Sequence, residues 1–304
     1  MNKFLFSPLG LYYLCLKNRK LMKLEGRRES TNVDDRRGQT MRKAGGLGLG
    51  GALIVGLLAL LFGGDPSEMI NQLGGGVEYE QNYTPSAEEE ELATFSKKIL
   101  AGTEDVWTRI FKQMGKEYIP PKLVLYSGSV QTGGGVATSE SGPFYYSVDQ
   151  AVYIDLSFFM NMKREIGADG DFAYAYVIAH EVGHHVQNLL GTLNQVHSRQ
   201  QRVSERERNQ LSVRLELQAD FYAGVWAYYD NRMFGSLEDG DIEEGLAVAA
   251  KIGDDYLQKK AYGRTMPETF NHGTSAQRSK WLKKGIRGGN LNDGDTFSPS
   301  YQDL

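Results

Sequence analysis

A chain of 304 residues with 40% hydrophobic and 24% charged residues can bury a globular core, which excludes wholesale disorder. Its 34 Lys and Arg against 38 Asp and Glu leave a net charge of -4, which excludes the broad positive field of a non-specific nucleic-acid binder. The single cysteine, Cys15, excludes an intramolecular disulfide, a four-cysteine zinc site and an iron–sulfur cluster, so any metal must rest on histidine and carboxylate.

In chain order, residues 1–21 differ in composition from the hydrophilic stretch that opens at Met22, as an upstream start codon would produce. Residues 44–64, AGGLGLGGALIVGLLALLFGG, carry no charge and are followed by Asp65 and Pro66. About 20 apolar residues span the roughly 30 Å hydrocarbon core of a bilayer. The run therefore predicts one transmembrane anchor, with a buried glycine-rich helix as the alternative. Lys23, Arg27, Arg28, Arg36, Arg37, Arg42 and Lys43 precede it, and Glu78, Glu80 and Glu88 to Glu91 follow it. The positive-inside rule places residues 1–43 in the cytoplasm and everything after Gly64 outside it, in a bacterial cell envelope. A long hydrophilic lead and no small-x-small cleavage site argue against a cleaved signal peptide. The stretch 65–86, rich in Gly, Asn and Glu without periodicity, reads as a juxtamembrane linker.

Residues 87–304 read as one compact domain. Phe95, Ile99, Leu100, Val106, Ile110 and Phe111 recur at roughly helical spacing and predict one or two helices over 92–118, ending before Pro120 and Pro121. KLVLYSG and VYIDLSFF read as strands on either side of a Gly/Ser loop, VQTGGGVATSESG, which can serve as a lid. In the second strand Val152, Ile154 and Leu156 face the core and Tyr153, Asp155 and Ser157 the other side. That strand is either internal or an edge that pairs with an extended substrate. Helical patterns follow over 171–190, 199–231, 241–260 and 274–285. Few strands followed by many helices give an α+β domain, a small sheet packed on helices.

Residues 180–185 read HEVGHH within an apolar helical pattern that Asp171 can cap and Gly191 can end. This is H-E-x-x-H on a helix. His180 and His184 fall one turn apart on one face, where both imidazoles can reach a single Zn²⁺ at about 2.0–2.1 Å. Glu181 can then take the proton of a water attacking a carbonyl and pass it to the leaving amine. The competing readings are two histidines four apart by accident, or a structural metal site without catalysis. His185 lies off the ligand face, as a supporting or solvated residue. Gly183 inside a helix suggests a close packing contact.

Two histidines leave a catalytic zinc short of a third protein ligand. In RLELQADFYAGVWAYY, Glu216 and Asp220 are again four apart on one helical face. Glu216 can complete a His₂Glu site, and Asp220 can accept the free ring N–H of a ligand histidine and fix its tautomer. The plain alternative is an ion pair between Glu216 and a surface arginine. His272, in FNHGTSAQR, sits just before a helix that Thr274 or Ser275 can cap. It is a candidate donor to the oxyanion or to substrate, against a purely local structural role. Tyr153 and Tyr262 are weaker candidates for the same task, and His197 reads as a solvated residue outside the site.

HEVGHHVQ followed by ELQAD resembles the gluzincin metallopeptidases. More closely, the chain resembles the bacterial membrane-anchored family called putative neutral zinc metallopeptidases. The likeness runs from GRRESTNVDDRRG at 26–38 through TGGGVATSESGPFYYSVDQAVYIDLSFF and GADGDFAYAYVIAHEVGHHVQ to LSVRLELQADFYAGVW and FNHGTSAQR. It implies the anchor, a zincin-like fold, zinc on His180, His184 and Glu216, and Glu181 as base. Members of that family carry cysteines where this chain has Gly134, Tyr146, Phe221 and Gly294, so packing must here replace any disulfides.

These readings converge on a membrane-anchored zinc metallopeptidase, with one zinc per chain, acting outside the cytoplasm on a peptide or protein and binding no nucleic acid. Two alternatives stay open. One is an envelope binding or assembly protein whose zinc is structural. The other is a metal-dependent amidase or esterase acting on cell-wall material, since the motif activates water without naming the carbonyl.

Overall fold

The computed structural model describes residues 22–41, 77–79, 83–167 and 170–304. The transmembrane run expected at 44–64 lies outside the described residues, as do residues 1–21 and most of the stretch 65–86. Among the described residues no helix is long and apolar enough to cross a membrane. The fold is mostly helical with a small sheet, an α+β arrangement.

The first helix, α1 (Ala87–Gln113), starts at a capping box in which Ser86 and Glu89 satisfy each other's backbone N–H groups. It buries Ile99, Leu100, Val106, Trp107, Ile110 and Phe111, the face that the sequence periodicity predicts. The central sheet has the order β1 (Val33–Asp35), β4 (Lys122–Tyr126), β8 (Ala151–Asp155), β7 (Phe144–Tyr146), with the first three parallel and β7 antiparallel to β8. Leu123, Leu125, Val152 and Ile154 join the main core. Val124, Tyr126 and Tyr153 face a second cluster, roofed by the hairpin β5 (Ser129–Thr132) and β6 (Gly135–Thr138).

Two strand readings are corrected here. The Gly/Ser loop holds this hairpin, pinned where buried Asp155 accepts hydrogen bonds from the Gly128 N–H and the Ser139 hydroxyl. VYIDLSFF stops being a strand at Asp155, whose carboxylate accepts from the Ser157 N–H and caps α2 (Leu156–Ile166). β8 is an internal strand, and β7 is the edge.

Behind the sheet lie α3 (Asp171–Leu189), α4 (Thr192–Gln200), α5 (Glu205–Phe234), α6 (Asp241–Lys251), α7 (Asp254–Tyr262) and α8 (Ser275–Gly288). The expected helix over 199–231 is divided by a turn before Ser204, which starts α5 through another capping box. The expected 241–260 helix breaks at Ile252 and Gly253, where the chain lies against Ser275 and a side chain on Gly253 would strike its backbone. α5 and α8 cross with backbones in contact, since any side chain on Gly224 or Gly285 would collide with the other helix.

The sequence reading of 1–43 as a segment apart from the domain is overturned for its described part. β1 pairs with β4 in register Val33↔Leu123 to Asp35↔Leu125. Arg27 reaches Asp230 near the end of α5 at 2.8 Å, and Ser30 and Asn32 donate to the carboxylate of Glu104 on α1. The domain thus includes residues 22–37. The supposed linker is also partly strand: β3 (Val77–Tyr79) pairs antiparallel with β2 (Gln39–Met41).

At the four positions where the resembling family has cysteine, large and small residues meet. A side chain on Gly134 would run into the Tyr146 hydroxyl, and one on Gly294 into the Phe221 ring. Each aromatic group fills the space its glycine leaves, so packing ties the hairpin to β7 and the C-terminal turn to α5.

Candidate active site

α3 and α5 lie close enough that a Cβ on Gly183 would stand 2.9 Å from the Ala219 carbonyl oxygen. That approach explains the glycine inside HEVGHH and brings the histidine face of α3 against Glu216. Nε2 of His180 lies 3.2 Å from Oε2 of Glu216, and Nε2 of His184 lies 3.3 Å from Oε1. One ligand atom from each of the three residues falls within 4.8 Å of the others. Three donors at zinc distances on a tetrahedral ion stand about 3.3 Å apart. The spacing and the two-imidazole, one-carboxylate donor set therefore fit Zn²⁺.

The remaining ring nitrogens are occupied from behind. Nδ1 of His180 lies 2.8 Å from Oδ1 of Asp220, the contact expected from the spacing of Glu216 and Asp220. Nδ1 of His184 lies 2.9 Å from Oε1 of Gln187, whose amide donates to the Leu215 carbonyl and to Gln218 on α5. Both histidines thus turn Nε2 toward the cluster. Asp220, fully buried, also accepts from the Tyr176 hydroxyl at 2.6 Å and from Nε and Nη2 of Arg278 at 2.9 Å. Sequence reasoning missed Arg278 and Gln187. Their signal was the tail of FNHGTSAQR and of HEVGHHVQ, but nothing in the spacing showed where either points.

The charges explain one another. Burial disfavours ionised carboxylates, but Arg278 and His180 outweigh it and hold Asp220 at about 2. Glu216, partly buried, is held well below the usual carboxylate range by His184 and His180, which outweigh desolvation. Burial would lower the His180 pKa, but Asp220 and Glu216 drive it up to about 10. Glu181 moves the other way: burial raises it above the usual range, partly offset by the two histidines. Arg278 balances the buried Asp220, and Glu216 beside the two imidazoles leaves a negative group that suits a bound cation.

The cluster opens on a cavity of about 490 Å³ with walls from β7, α2, α3, α5 and the His272 loop. Phe144, Tyr145 and Tyr146 of the edge strand all line it, and the backbone of Tyr145 slightly offsets the effect of burial on the Glu181 carboxyl. His185 is fully buried, a correction to its reading as a possible solvated residue. Its Nε2 donates to the Ile119 carbonyl at 2.7 Å and its Nδ1 meets the Tyr145 hydroxyl at 3.0 Å. The third histidine of the motif therefore braces the edge strand.

His272 lines the same cavity. Asp254, at the start of α7, accepts the backbone N–H groups of Asn271, His272 and Gly273 on Oδ2, and Nδ1 of His272 lies 3.2 Å from Oδ1. The histidine is both structurally anchored and on the cavity wall, so the two sequence readings merge. Burial would lower its pKa, but Asp254 and Glu216 raise it. Tyr153 is instead tied to Asp149 at 2.5 Å beneath the hairpin, and Tyr262 is exposed at the end of α7; neither lines the cavity. His197, expected to be solvated, is exposed yet also forms part of the cavity wall.

The family model described as "putative neutral zinc metallopeptidase" matches residues 22–297. The chain is 47% identical over 293 residues to uncharacterized protein YpfJ of Escherichia coli strain K12, covering 92% of this chain and 100% of that protein. It is 45% identical over 199 residues to uncharacterized protein Rv2575 of Mycobacterium tuberculosis strain H37Rv, covering 62% of this chain and 66% of that protein. No solved structure matches the chain.

Proposed function

The chain belongs to the putative neutral zinc metallopeptidase family, and from that premise we propose that it hydrolyses peptide bonds at the His180, His184 and Glu216 cluster. The observation that carries the reading is Glu181: a buried carboxyl beside three convergent metal donors, on the floor of a cavity that leaves the fourth side of the cluster open. A structural zinc site closes that side with a fourth protein ligand, which disfavours the envelope-assembly alternative.

His180, His184 and Glu216 would hold the ion, with Asp220 and Gln187 fixing the ring orientations. When bound, zinc supplies a Lewis acid that polarises the substrate carbonyl and acidifies water. Glu181 is placed to accept the proton of the attacking water and to return it to the leaving amine. Burial raises its pKa from the ordinary carboxylate value, the direction that suits a proton acceptor and donor. His272, held by Asp254, is placed to donate toward the oxygen on which negative charge grows. The edge strand β7 offers main-chain groups to an extended peptide, which supports a peptide substrate over a compact cell-wall amide. Attachment to a membrane through the apolar run 44–64 is part of the reading and rests on the sequence.

The test is zinc content and peptide-library cleavage by the purified full chain beside Glu181→Gln. One zinc per chain in both proteins, with cleavage in the parent alone, supports the proposal. Equal cleavage by the two, or none by the zinc-loaded parent, overturns it.

A further inference from the structure

Seven cations ahead of the apolar run argue, on the positive-inside rule, that the N-terminal residues and the domain lie on opposite sides of a bilayer. The fold gives five of them another task. Lys23 pairs with Glu238 at 2.7 Å, Arg27 with Asp230 at 2.8 Å, and Arg28 with Glu104 and Asp105 at 2.8 and 2.6 Å. Arg36 pairs with Asp34 at 2.8 Å, and Arg37 with Asp35 and Glu90 at 2.6 and 3.0 Å. Arg27 and Asp230 are nearly out of solvent, at 10% and 2% exposure.

These contacts are integral to the domain. Withdrawing the N-terminal strap would strip a strand from the central sheet and leave Glu104 and Asp230 buried without their partners. A chain cannot be packed into a domain and lie across a bilayer from it. We infer that residues 22–37 and the domain bearing the metal cluster share one side of the membrane.

The second observation is where the intervening chain departs and returns. β2 and β3 pair with Met41 opposite Val77, so the two ends that residues 42–76 connect lie side by side. A chain with both ends on one side crosses an even number of times. A single crossing by the chain between them would put Met41 and Val77 on opposite sides of the bilayer, which their pairing forbids. The inference does not depend on peptidase activity.

The test uses the full chain with Cys15, the only cysteine, replaced by serine. Two further variants each carry one new cysteine at an exposed position, Glu25→Cys in the strap or Lys283→Cys on α8. Sealed membranes are treated with a membrane-impermeant maleimide before and after detergent. The expected result is that both cysteines behave alike, either modified fully before detergent or both only after it. One cysteine modified in intact membranes while the other waits for detergent would overturn the inference and restore a single crossing.

Discussion

His180 and Asp220 are joined by a 2.8 Å contact between Nδ1 and Oδ1, and Arg278 grips the same carboxylate from the other side with two hydrogen bonds. The carboxylate is therefore committed in direction. It can serve the back of the histidine ring but cannot swing forward to become a fourth metal ligand. Asp220→Asn should retain the fold and weaken zinc binding by about 10–100-fold, the usual cost of losing a carboxylate behind a ligand histidine. Competition against a coloured chelator measures it, and unchanged affinity would show that Asp220 serves folding alone.

Glu181→Gln removes the proposed base and keeps the shape. Zinc content should stay at the parent level while the cleavage rate falls by about 10²–10⁴-fold, the typical contribution of a positioned general base. Loss of zinc in this variant would instead place Glu181 among the ligands.

Gly183→Ala tests the helix contact that assembles the site. The new Cβ would stand 2.9 Å from the Ala219 backbone, which cannot yield as a side-chain tip can. Forcing the helices apart should cost about 1–3 kcal/mol. It should also loosen zinc, because Glu216 rides on α5 and both histidines on α3. Chemical denaturation together with zinc titration reads both effects.

Acid and alkali should act on different histidines. Burial depresses His185 to about 4, so between pH 4 and its ordinary value near 6.5 the unfolded chain binds the extra proton. Stability from this group is complete above about pH 6.5 and is lost as pH falls toward 4. For His180 the sign reverses. Its folded pKa of about 10 means that stability of the metal-free protein is complete below about 6.5 and lost as pH rises through about 10. Zinc displaces that proton, so the alkaline loss should shrink in the loaded protein. Melting temperature against pH, with and without zinc, checks both limbs.

Arg27→Ala should destabilise the whole domain although it lies far from the cluster in sequence. It leaves Asp230 buried without its charge partner, a change that costs about 3–5 kcal/mol in comparable settings. Asp230→Asn in the same chain should recover part of the loss. By the same reasoning, a chain started at Asp65 lacks β1 and should aggregate or melt early, whereas a chain started at Met22 should not.

HEVGHH was legible because its meaning is local: helical periodicity alone sets His180 and His184 on one face, whatever surrounds them. The same period put Glu216 and Asp220 together on α5, and apolar spacing located α3 and α8 nearly to their ends, while α1 lies several residues earlier in the chain than the expected 92–118. The sequence by itself thus determined most of the helical segments and the residue types of the donor set. Only the tertiary structure decided how they meet. The approach of α3 to α5 at Gly183, the grip of Arg278 on Asp220 and the seat of His272 on Asp254 join residues far apart in the chain, and no period encodes such a distance. β1 is three residues long and parallel to its partner, too short to show alternation, so the cations on either side of it read as a membrane signal. In the fold they are counter-charges to Asp230, Glu104 and their neighbours, because an ion pair depends on proximity in space and sequence spacing carries no record of it.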